Sequence, residues 1–196
     1  MLFRSFVEYD TKLWNQYTDE NEGQVQQKLS ELIYHITLGL GAKKICECGC
    51  NVGNNLSGFP NTHEIHGVDL NSYALEKAKK RYPTFHFKES DISKTGYPNS
   101  FFDLVFTRGV LIHIQKSEIN DVLKEILRIS NKWILNLEYF GDDGKMIKWK
   151  RGDDLVWYRD MNKLWSQFPV DLVSDIDIPL EIDSNKMRLT LVKKRT

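Results

Sequence analysis

A turn rich in glycine and asparagine contains the residue types of a nucleotide-binding loop. It follows a short strand pattern and runs Glu47-x-Gly49-x-Asn51-x-Gly53. In doubly wound sheets, ligands lie beyond the carboxyl ends of the strands, so a nucleotide is expected beside this turn. Gly49 lets the backbone turn sharply close to a ligand. Asparagine adopts left-handed backbone angles more readily than most residues, so Asn51 can stand where another glycine is usual. Residues 50–54 are predicted to begin a helix.

The spacing of the turn argues against a nicotinamide dinucleotide. The fingerprint G-x-G-x-x-G would require a third glycine at position 54, where the chain has Asn54. The acidic Glu47 before the turn is also absent from that pattern. Two more acids follow the next two strands, Asp69 in Gly-Val-Asp-Leu and Asp91 in Glu-Ser-Asp-Ile. The pattern therefore indicates a different nucleotide ligand.

Alternating strand and helix patterns position these residues along one sheet. Apolar patterns predict seven strands, at 44–48, 64–69, 84–89, 101–107, 133–138, 170–178 and 187–193. Amphipathic patterns predict helices at 25–40, 72–81, 117–129 and 162–168, with Ser117 capping the third. Parallel strands need a crossover, so the first five strands are predicted to form a parallel sheet. The last two strands are joined by a turn and must pair antiparallel.

The expected architecture is therefore an α/β fold with a seven-stranded, mostly parallel sheet, one antiparallel strand and helices on both faces. A length of 196 residues suggests a single domain. We divide it into an N-terminal helical cover (1–41), a nucleotide-binding core (42–138), an inserted excursion (139–160) and a final helix with a β-hairpin (161–196).

Composition argues against several classes of partner. The 27 Lys and Arg balance the 27 Asp and Glu, which disfavours a broad basic surface for nucleic acid. No apolar run approaches the ~18 residues that span a bilayer, and the start of the chain lacks the apolar segment of a signal peptide.

Cys46, Cys48 and Cys50 form a poor disulfide framework without the paired spacing of zinc sites, so we expect a reducing cytoplasm and no metal. His63 and His66 are interpreted as surface residues.

Four segments, in order, resemble the motifs of the class I S-adenosylmethionine-dependent methyltransferases. The turn that begins at Glu47 is similar to their motif I, although Asn51 departs from its glycine run. Asp69 lies 22 residues after Glu47, Asp91 follows the third strand, and Phe-Asp-Leu-Val-Phe at 102–106 is similar to the fourth strand. The resemblance implies a Rossmann-like class I methyltransferase fold and S-adenosylmethionine as the cofactor, with S-adenosylhomocysteine as the product.

The resemblance also assigns roles to the acids. Asp69 would hold the ribose hydroxyls and Asp91 the adenine amino group, since a carboxylate accepts hydrogen bonds from both. Glu47 would offset the positive charge of the methionine amino group and the sulfonium, or serve as an acceptor for loop amides. The other expected cofactor contacts are Gly49, Cys50, Asn51, Gly53, Asn54, Leu70, Ile92 and Thr107.

Further stretches narrow the resemblance. Segments 17–21, 106–114, 138–139, 151–154 and 157–160 are together similar to the pseudaminic acid biosynthesis-associated methylases. This likeness implies a small-molecule acceptor, a sugar or sugar nucleotide of surface-polysaccharide biosynthesis of the nonulosonic acid type. Two alternatives stay open: a methyltransferase for a natural-product intermediate or a protein side chain, and a non-catalytic protein that keeps the cofactor fold.

Residues that follow the fourth and fifth strands are candidates for the chemistry. Methyl transfer from a sulfonium needs orientation and, for a hydroxyl acceptor, a base. His113 lies in the loop that borders the methyl group in class I enzymes and is the first candidate base; alternatively, it packs beneath that loop. Glu138 is a second candidate base, and Tyr139 would hold a substrate hydroxyl. Arg108 would bind a substrate carboxylate or phosphate, or pair with Asp103 or another nearby acid.

Aromatic and basic residues outside the core are candidates for the walls of the site. Trp14 and Tyr17 would form a lid over the cofactor, because aromatic faces attract cations; alternatively, they belong to the core. Arg151, Tyr158 and Arg159 of the excursion would shape the acceptor pocket, or else belong to a solvated loop.

Overall fold

The structure, a computed structural model, describes residues 10–142, 144–148 and 156–195. Within these ranges the helices are α1 (Thr11–Asn21), α2 (Gln27–Gly39), α3 (Ser72–Arg81), α4 (Ile119–Ile129) and α5 (Met161–Trp165). The strands are β1 (Lys44–Cys48), β2 (Glu64–Asp69), β3 (His86–Glu89), β4 (Phe102–Arg108), β5 (Ser130–Tyr139), β6 (Val170–Asp177) and β7 (Met187–Lys194). Short 3-10 turns lie at Asn54–Leu56 and Leu111–His113.

The strands form a sheet in the order β3-β2-β1-β4-β5-β7-β6. The first five strands run parallel, whereas β7 is antiparallel to both of its neighbours, β5 and β6. The predicted seven-stranded, mostly parallel sheet with one antiparallel strand is confirmed. The direction in which strands are added reverses between β1 and β4, and ligands of such sheets bind in the crevice at that reversal.

The sheet separates two cores, because neighbouring residues of a strand point to opposite faces. Cys46 of β1 and Val105 of β4 belong to the core that α4 and α5 cover. Ile45 and Leu104, their neighbours in the chain, belong to the core on the other face, which α2 covers. Helices therefore lie on both faces, as predicted.

Helix α4 shows the amphipathic spacing that the sequence predicts. Ile119, Val122, Ile126 and Ile129 are all buried, and they recur at intervals of three and four residues. The helix begins at Ile119 without a hydrogen bond from a capping side chain, so the predicted cap by Ser117 is wrong.

Residues 50–54 do not begin a helix, contrary to the expectation. Asn51 has φ 47° and Gly53 has φ 74°, and these left-handed angles interrupt a right-handed helix. The short 3-10 turn Asn54–Leu56 follows instead. The connection after β1 is therefore a compact loop held at the end of the sheet.

His63 and His66 are buried, each with 8% of its surface exposed, so their interpretation as surface residues is wrong. His66 lies on β2, between β1 and β3, and its ring stacks on His86 with the centroids 4.7 Å apart. Its two ring nitrogens contact Glu64 Oε1 at 3.0 Å and the Tyr97 hydroxyl at 3.2 Å. The two faces of a parallel sheet are covered by other elements, so even a polar side chain on an inner strand is buried.

Within the described ranges, no helix combines the length and apolar character needed to cross a membrane. Among the same residues, no group of three His, Cys, Asp or Glu side chains is placed to hold a metal ion. The three cysteines are buried free thiols.

Candidate cofactor and acceptor site

A cavity of about 250 Å³ lies at the carboxyl ends of β1, β2 and β4. Loops after these strands form one side of it, and α1 with the segment that leads to α2 forms the other. The predicted site residues that line it are Trp14, Tyr17, Gly49, Cys50, Asn51, Asn54, Asp69, Leu70, Ile92, Arg108 and His113. The predicted turn, the cover and the loop after β4 therefore converge on the same cavity.

The turn after β1 brings backbone to the wall of the cavity. Gly49 has φ 78°, and a Cβ built there would lie 2.4 Å from Val110 Cγ2, so the position excludes a side chain. Asn51 adopts the predicted left-handed angle, and its Oδ1 accepts a hydrogen bond from the Val52 N–H at 2.8 Å. The turn thus keeps its shape without a glycine at position 51.

Asp69 joins the loops after β1 and β2. Its Oδ2 accepts the N–H of Asn51 at 2.7 Å, and its Oδ1 accepts the N–H of Asn71 at 2.9 Å. Desolvation raises the pKa of this carboxyl, while the two backbone N–H groups act in the opposite direction. The carboxyl is thereby fixed in place at the cavity wall.

Glu47 lies beneath the cavity rather than on its surface. Its Oε1 accepts a hydrogen bond from Asn55 Nδ2 at 2.7 Å, and Asn55 lines the cavity. Its Oε2 is buried and has no hydrogen-bond partner among the described residues. Burial raises the pKa of Glu47 to about 8, with Asn55 and the charge of Arg108 acting against that rise. A nearby cation would satisfy the free oxygen and favour the ionised form.

Thr18 of α1 is fully buried and ties the cover to both cofactor loops. Its Oγ1 accepts hydrogen bonds from Asn51 Nδ2 at 3.3 Å and from Asn71 Nδ2 at 3.2 Å. Asn51 lies in the turn after β1, and Asn71 caps α3. One hydroxyl therefore links three segments that surround the cavity.

Aromatic rings connect the cover to the loop after β4. Trp14 and Tyr17 meet edge to face with their ring centroids 5.6 Å apart. Trp14 also meets the His113 ring edge to face at 5.1 Å. Because all three line the cavity, the imidazole lies directly beside the aromatic cover.

Arg108 lines the cavity and pairs with an acid that the sequence did not single out. Its Nη2 donates to Asp183 Oδ2 at 2.6 Å and to Gln26 Oε1 at 2.7 Å. Asp183 is buried in the loop between β6 and β7. Asp103, the partner that the sequence suggested by name, instead accepts the backbone N–H groups of Lys43 and Lys44. The sequence left open whether Arg108 pairs with Asp103 or with another nearby acid. The structure shows the second arrangement, with Asp183 as the acid.

Several predicted site residues do not line the cavity: Glu47, Gly53, Asp91, Thr107, Glu138, Tyr139, Tyr158 and Arg159. Arg151 lies outside the described residues. Asp91 Oδ1 accepts the N–H of Ser93 at 2.7 Å, and its neighbour Ile92 lines the cavity. The ring of Tyr158 packs against Gly141.

Glu138 and Arg159 are buried ionisable residues, with 1% and 2% of their surfaces exposed. Burial raises the pKa of Glu138 to about 7, and the Thr107 hydroxyl, which donates to it at 2.7 Å, acts against the rise. The Arg159 guanidinium donates from Nε to the Leu111 carbonyl at 3.0 Å. The structure does not bring either side chain to the cavity, where a base and a substrate contact were expected, because each is held by buried groups beneath the loop after β4.

Other lining residues were missed by sequence reasoning: Asn21, Gln24, Val25, Gln26, Asn55, Asn71, Gly109 and Val110. Three of them, Gln24, Val25 and Gln26, belong to the connection between α1 and α2, part of which was assigned to a continuous helix from residue 25. Polar residues precede the apolar stripe of α2 in the sequence. This polar run is the signal that could have marked the connection as part of the site.

Comparison with known proteins identifies a methyltransferase domain in this part of the chain. Residues 45–132 match the family model described as a methyltransferase domain. Phosphoethanolamine N-methyltransferase of Triticum aestivum is 30% identical over 79 residues, which are 37% of this chain and 16% of that protein. Phosphoethanolamine N-methyltransferase 1 of Arabidopsis thaliana is 29% identical over 79 residues, with the same shares of the two chains. The chain therefore spans a small part of the length of these curated relatives.

Solved structures share the whole fold at low identity. The 1,6-didemethyltoxoflavin-N1-methyltransferase of Burkholderia thailandensis, solved with 1,6-didemethyltoxoflavin and S-adenosylhomocysteine, has a TM-score of 0.72 at 14% identity, over 100% of this chain and 93% of that one. Magnesium protoporphyrin IX methyltransferase of Synechocystis PCC 6803, solved with S-adenosylmethionine, has a TM-score of 0.64 at 15% identity, over 87% and 79%. The [4+2]-cyclase SpnF has a TM-score of 0.70 at 14% identity, over 86% and 80%. This likeness establishes the fold, which hosts more than one reaction.

The matched segment and the fold point to the same class of protein. Residues 45–132 match a methyltransferase domain, and the whole chain has the fold of methyltransferases solved with S-adenosylmethionine or S-adenosylhomocysteine. The relatives carry names with unrelated acceptors, so the acceptor of this protein has to be argued from its own cavity.

Proposed function

We propose that the protein transfers a methyl group from S-adenosylmethionine to a hydroxyl or amine of a small polar molecule. The observation that carries the proposal is the convergence of the Gly49 turn, the Asp69 carboxylate and His113 on one cavity. When bound, the cofactor supplies an electrophilic methyl group on its sulfonium. The residues of the chain hold the cofactor, orient the acceptor and remove a proton.

One end of the cavity fits the cofactor. Asp69, already braced by two backbone N–H groups, would accept hydrogen bonds from the ribose hydroxyls. Glu47 has a buried oxygen free to face a cationic amino group. Leu70 and Ile92 supply apolar walls for the adenine ring, and Trp14 covers the opening beside His113. In this proposal, the described residues 10–41 serve as the cover of a single domain.

The other end offers hydrogen-bonding groups with little net charge. Arg108 is ion-paired with Asp183 and also bound to Gln26, and Gln24 lines the same wall. Donors and acceptors in a nearly neutral pocket suit a ligand rich in hydroxyl and amide groups, since each unpaired group would cost binding energy. This chemistry supports a sugar as the acceptor, whereas the nonulosonic acid type and the sugar nucleotide, which are anionic, rest on the resemblance of the sequence. The buried free thiols fit a reducing compartment such as the cytoplasm. Among the described residues of segment 139–160, none lines this cavity.

His113 is the proposed base. Its ring lines the cavity and is held edge-on by Trp14. It would take the proton of an acceptor hydroxyl on an imidazole nitrogen as the oxygen–methyl bond forms and the sulfur–methyl bond breaks, which would leave S-adenosylhomocysteine. Asn51 was the sequence feature that suggested a non-catalytic protein; since its left-handed backbone keeps the turn intact, it gives that alternative no support.

An aromatic heterocycle is a second candidate acceptor. Trp14 and Tyr17 line the cavity, and stacking on aromatic rings favours planar ligands. The structural likeness to an enzyme solved with 1,6-didemethyltoxoflavin agrees with such a ligand. Incubation with S-adenosylmethionine and either a nucleotide sugar or a toxoflavin precursor, followed by mass spectrometry, separates the two candidates by which one gains a methyl group.

Calorimetric titration with S-adenosylhomocysteine tests the cofactor site. Asp69→Ala removes a pair of charge-assisted hydrogen bonds, which together contribute about 3 kcal/mol, so affinity should fall roughly 100-fold. Asp121→Ala, a change of an exposed acid on α4, is the matched control and should bind like wild type. Equal affinity of Asp69→Ala and wild type would remove the ribose assignment.

Turnover measurements test the base. His113→Gln should lower kcat by about 10²-fold or more while the cofactor dissociation constant stays within about twofold, because a general base acts on the acceptor only. Wild-type turnover in this variant would refute the role of His113.

A further inference from the structure

The residue His113 is carried by a short turn whose backbone groups need partners from outside it. Within the 3-10 turn Leu111–His113, the N–H of His113 donates to the Val110 carbonyl at 2.9 Å, and the N–H of Ile114 donates to the Leu111 carbonyl at 3.2 Å. Such a turn leaves N–H groups unpaired at its start and carbonyls unpaired at its end. Because the turn is buried, these groups require protein partners.

A buried carboxylate meets the start of the turn. Glu138 Oε1 accepts the N–H of Val110, and Oε2 accepts the N–H of Ile112, both at 3.4 Å. The carboxylate is fixed from below by the Thr107 hydroxyl at 2.7 Å, which in turn accepts a hydrogen bond from Asn136 Nδ2 at 2.8 Å. The carboxylate is therefore part of a buried network that runs from the sheet to the turn.

A buried guanidinium donates hydrogen bonds to two carbonyls, one in the first residue of the turn and one just after the turn. Arg159 donates from Nε to the Leu111 carbonyl at 3.0 Å and from Nη2 to the Ile114 carbonyl. Its backbone N–H donates to the Tyr139 carbonyl at 2.8 Å, which places the arginine beside the last residue of β5. The N–H of Trp157 donates to the Ile112 carbonyl at 2.8 Å, so the same segment of chain supports the middle of the turn.

We infer that Glu138 and Arg159 are positioning residues for His113: a buried carboxyl group accepts the N–H groups at the start of its turn, and a buried guanidinium bridges the Leu111 and Ile114 carbonyls. The inference rests on the proposed function, in which His113 touches the acceptor. Burying two charges costs more stability than apolar residues of the same size would, so a role in placing the turn accounts for their presence. Neither side chain contacts the cavity.

The test uses Glu138→Gln and Arg159→Lys in the full chain, approaching the turn from opposite ends. Glutamine keeps one acceptor but presents an NH₂ group to a backbone N–H, and lysine replaces the two separate donor nitrogens of the guanidinium by a single ammonium nitrogen. We expect kcat to fall about 10–100-fold, the S-adenosylhomocysteine dissociation constant to stay within about twofold, and the His113 side-chain NMR signal to shift or broaden. The signal is assigned by its loss in His113→Gln.

Glu125→Gln is the matched control. Glu125 is a buried acid of α4 that accepts hydrogen bonds from Thr95 and Arg128, away from the His113 turn. It should lose thermal stability like the test variants but keep the wild-type kcat and His113 signal. Thr107→Val, which removes only the hydroxyl beneath Glu138, provides a milder variant if Glu138→Gln does not fold.

The outcomes separate the inference from the proposed function. Wild-type kcat in both Glu138→Gln and Arg159→Lys overturns the inference, whether or not the His113 signal moves. An equal loss of kcat in Glu125→Gln also overturns it, because the loss then reports general destabilisation. Wild-type turnover of His113→Gln instead overturns the proposed base, on which the inference depends.

Discussion

Replacement of Thr18 by valine should loosen the cover over the cavity. Valine keeps the size of threonine but removes the hydroxyl that accepts hydrogen bonds from Asn51 at 3.3 Å and Asn71 at 3.2 Å. Another tie between α1 and the loop after β1, in which Asn54 Nδ2 donates to the Asn21 carbonyl at 2.7 Å, is only partly buried. The Thr18 hydroxyl, in contrast, is a fully buried polar tie between α1 and the loops after β1 and β2.

The magnitude follows from the burial of the two donors. Asn71 is only 4% exposed, so its Nδ2 loses a partner that water cannot easily replace, at a cost of about 1–3 kcal/mol. Asn51 borders the cavity, where water can take over, and adds less. A total of about 2 kcal/mol corresponds to roughly 30-fold in the equilibrium between closed and open cover. The same factor is the upper bound on the loss of cofactor affinity, reached when the open cover becomes the dominant form.

Hydrogen exchange measures this opening without any ligand. We expect the amide protection of α1 to fall roughly 30-fold in Thr18→Val, whereas β1 and β4 keep theirs. Thr18→Ser, which restores the hydroxyl, is the control and should recover most of the protection. Titration with S-adenosylhomocysteine should show the affinities in the same order. Wild-type protection of α1 in Thr18→Val would show that the hydroxyl does not hold the cover and would refute the reasoning.

Two other predictions concern the floor of the site. Gly49→Ala forces an alanine into left-handed backbone angles and places its Cβ 2.4 Å from Val110, so the free energy of unfolding should fall by about 2–4 kcal/mol in chemical denaturation. Adding Val110→Ala should recover the part of the loss that is due to the contact. An unchanged denaturation midpoint in Gly49→Ala would contradict the prediction. Glu47 has a pKa of about 8 in the folded chain against an ordinary 4.5, so the folded state binds more protons between these values and stability should fall as pH rises through that window, by at most ~1.4 kcal/mol per pH unit. Glu47→Gln should flatten this dependence in urea denaturation from pH 5 to 8, and equal slopes in the two proteins would count against it.

The sheet was accessible to sequence reasoning because its strands have short apolar patterns and its crossovers permit few topologies. The boundaries were less accessible. β5 begins at Ser130, three residues earlier than the apolar pattern indicates, because Ser130 pairs with Phe102 through the backbone. The connection after β1 was misassigned because two left-handed residues, Asn51 and Gly53, stop a helix whose composition looks suitable.

The residues on the Asp69 side of the cavity were predictable, whereas those around Arg108 were only partly so. Asp69 and Gly49 were found because residues at strand ends meet in a parallel sheet. Thr18 and Asp183 were not found, because their partners Asn51 and Arg108 are 33 and 75 residues away along the chain. Contacts between residues so far apart along the chain produce no periodic pattern or fixed spacing that sequence reasoning can detect.

The buried acid Asp183, held against Arg108, has a consequence for how this protein compares with its relatives. The recognisable segment, residues 45–132, contains Arg108 but not Asp183 of the β6–β7 loop or Gln26 at the start of α2. Two proteins can therefore agree throughout the recognisable segment and still differ in the charge and shape offered to the acceptor. In the proposed function, exchange of the β6–β7 loop would alter acceptor choice while cofactor use stays constant. Grafting loop 178–186 between relatives is thus a direct test of which segment selects the acceptor.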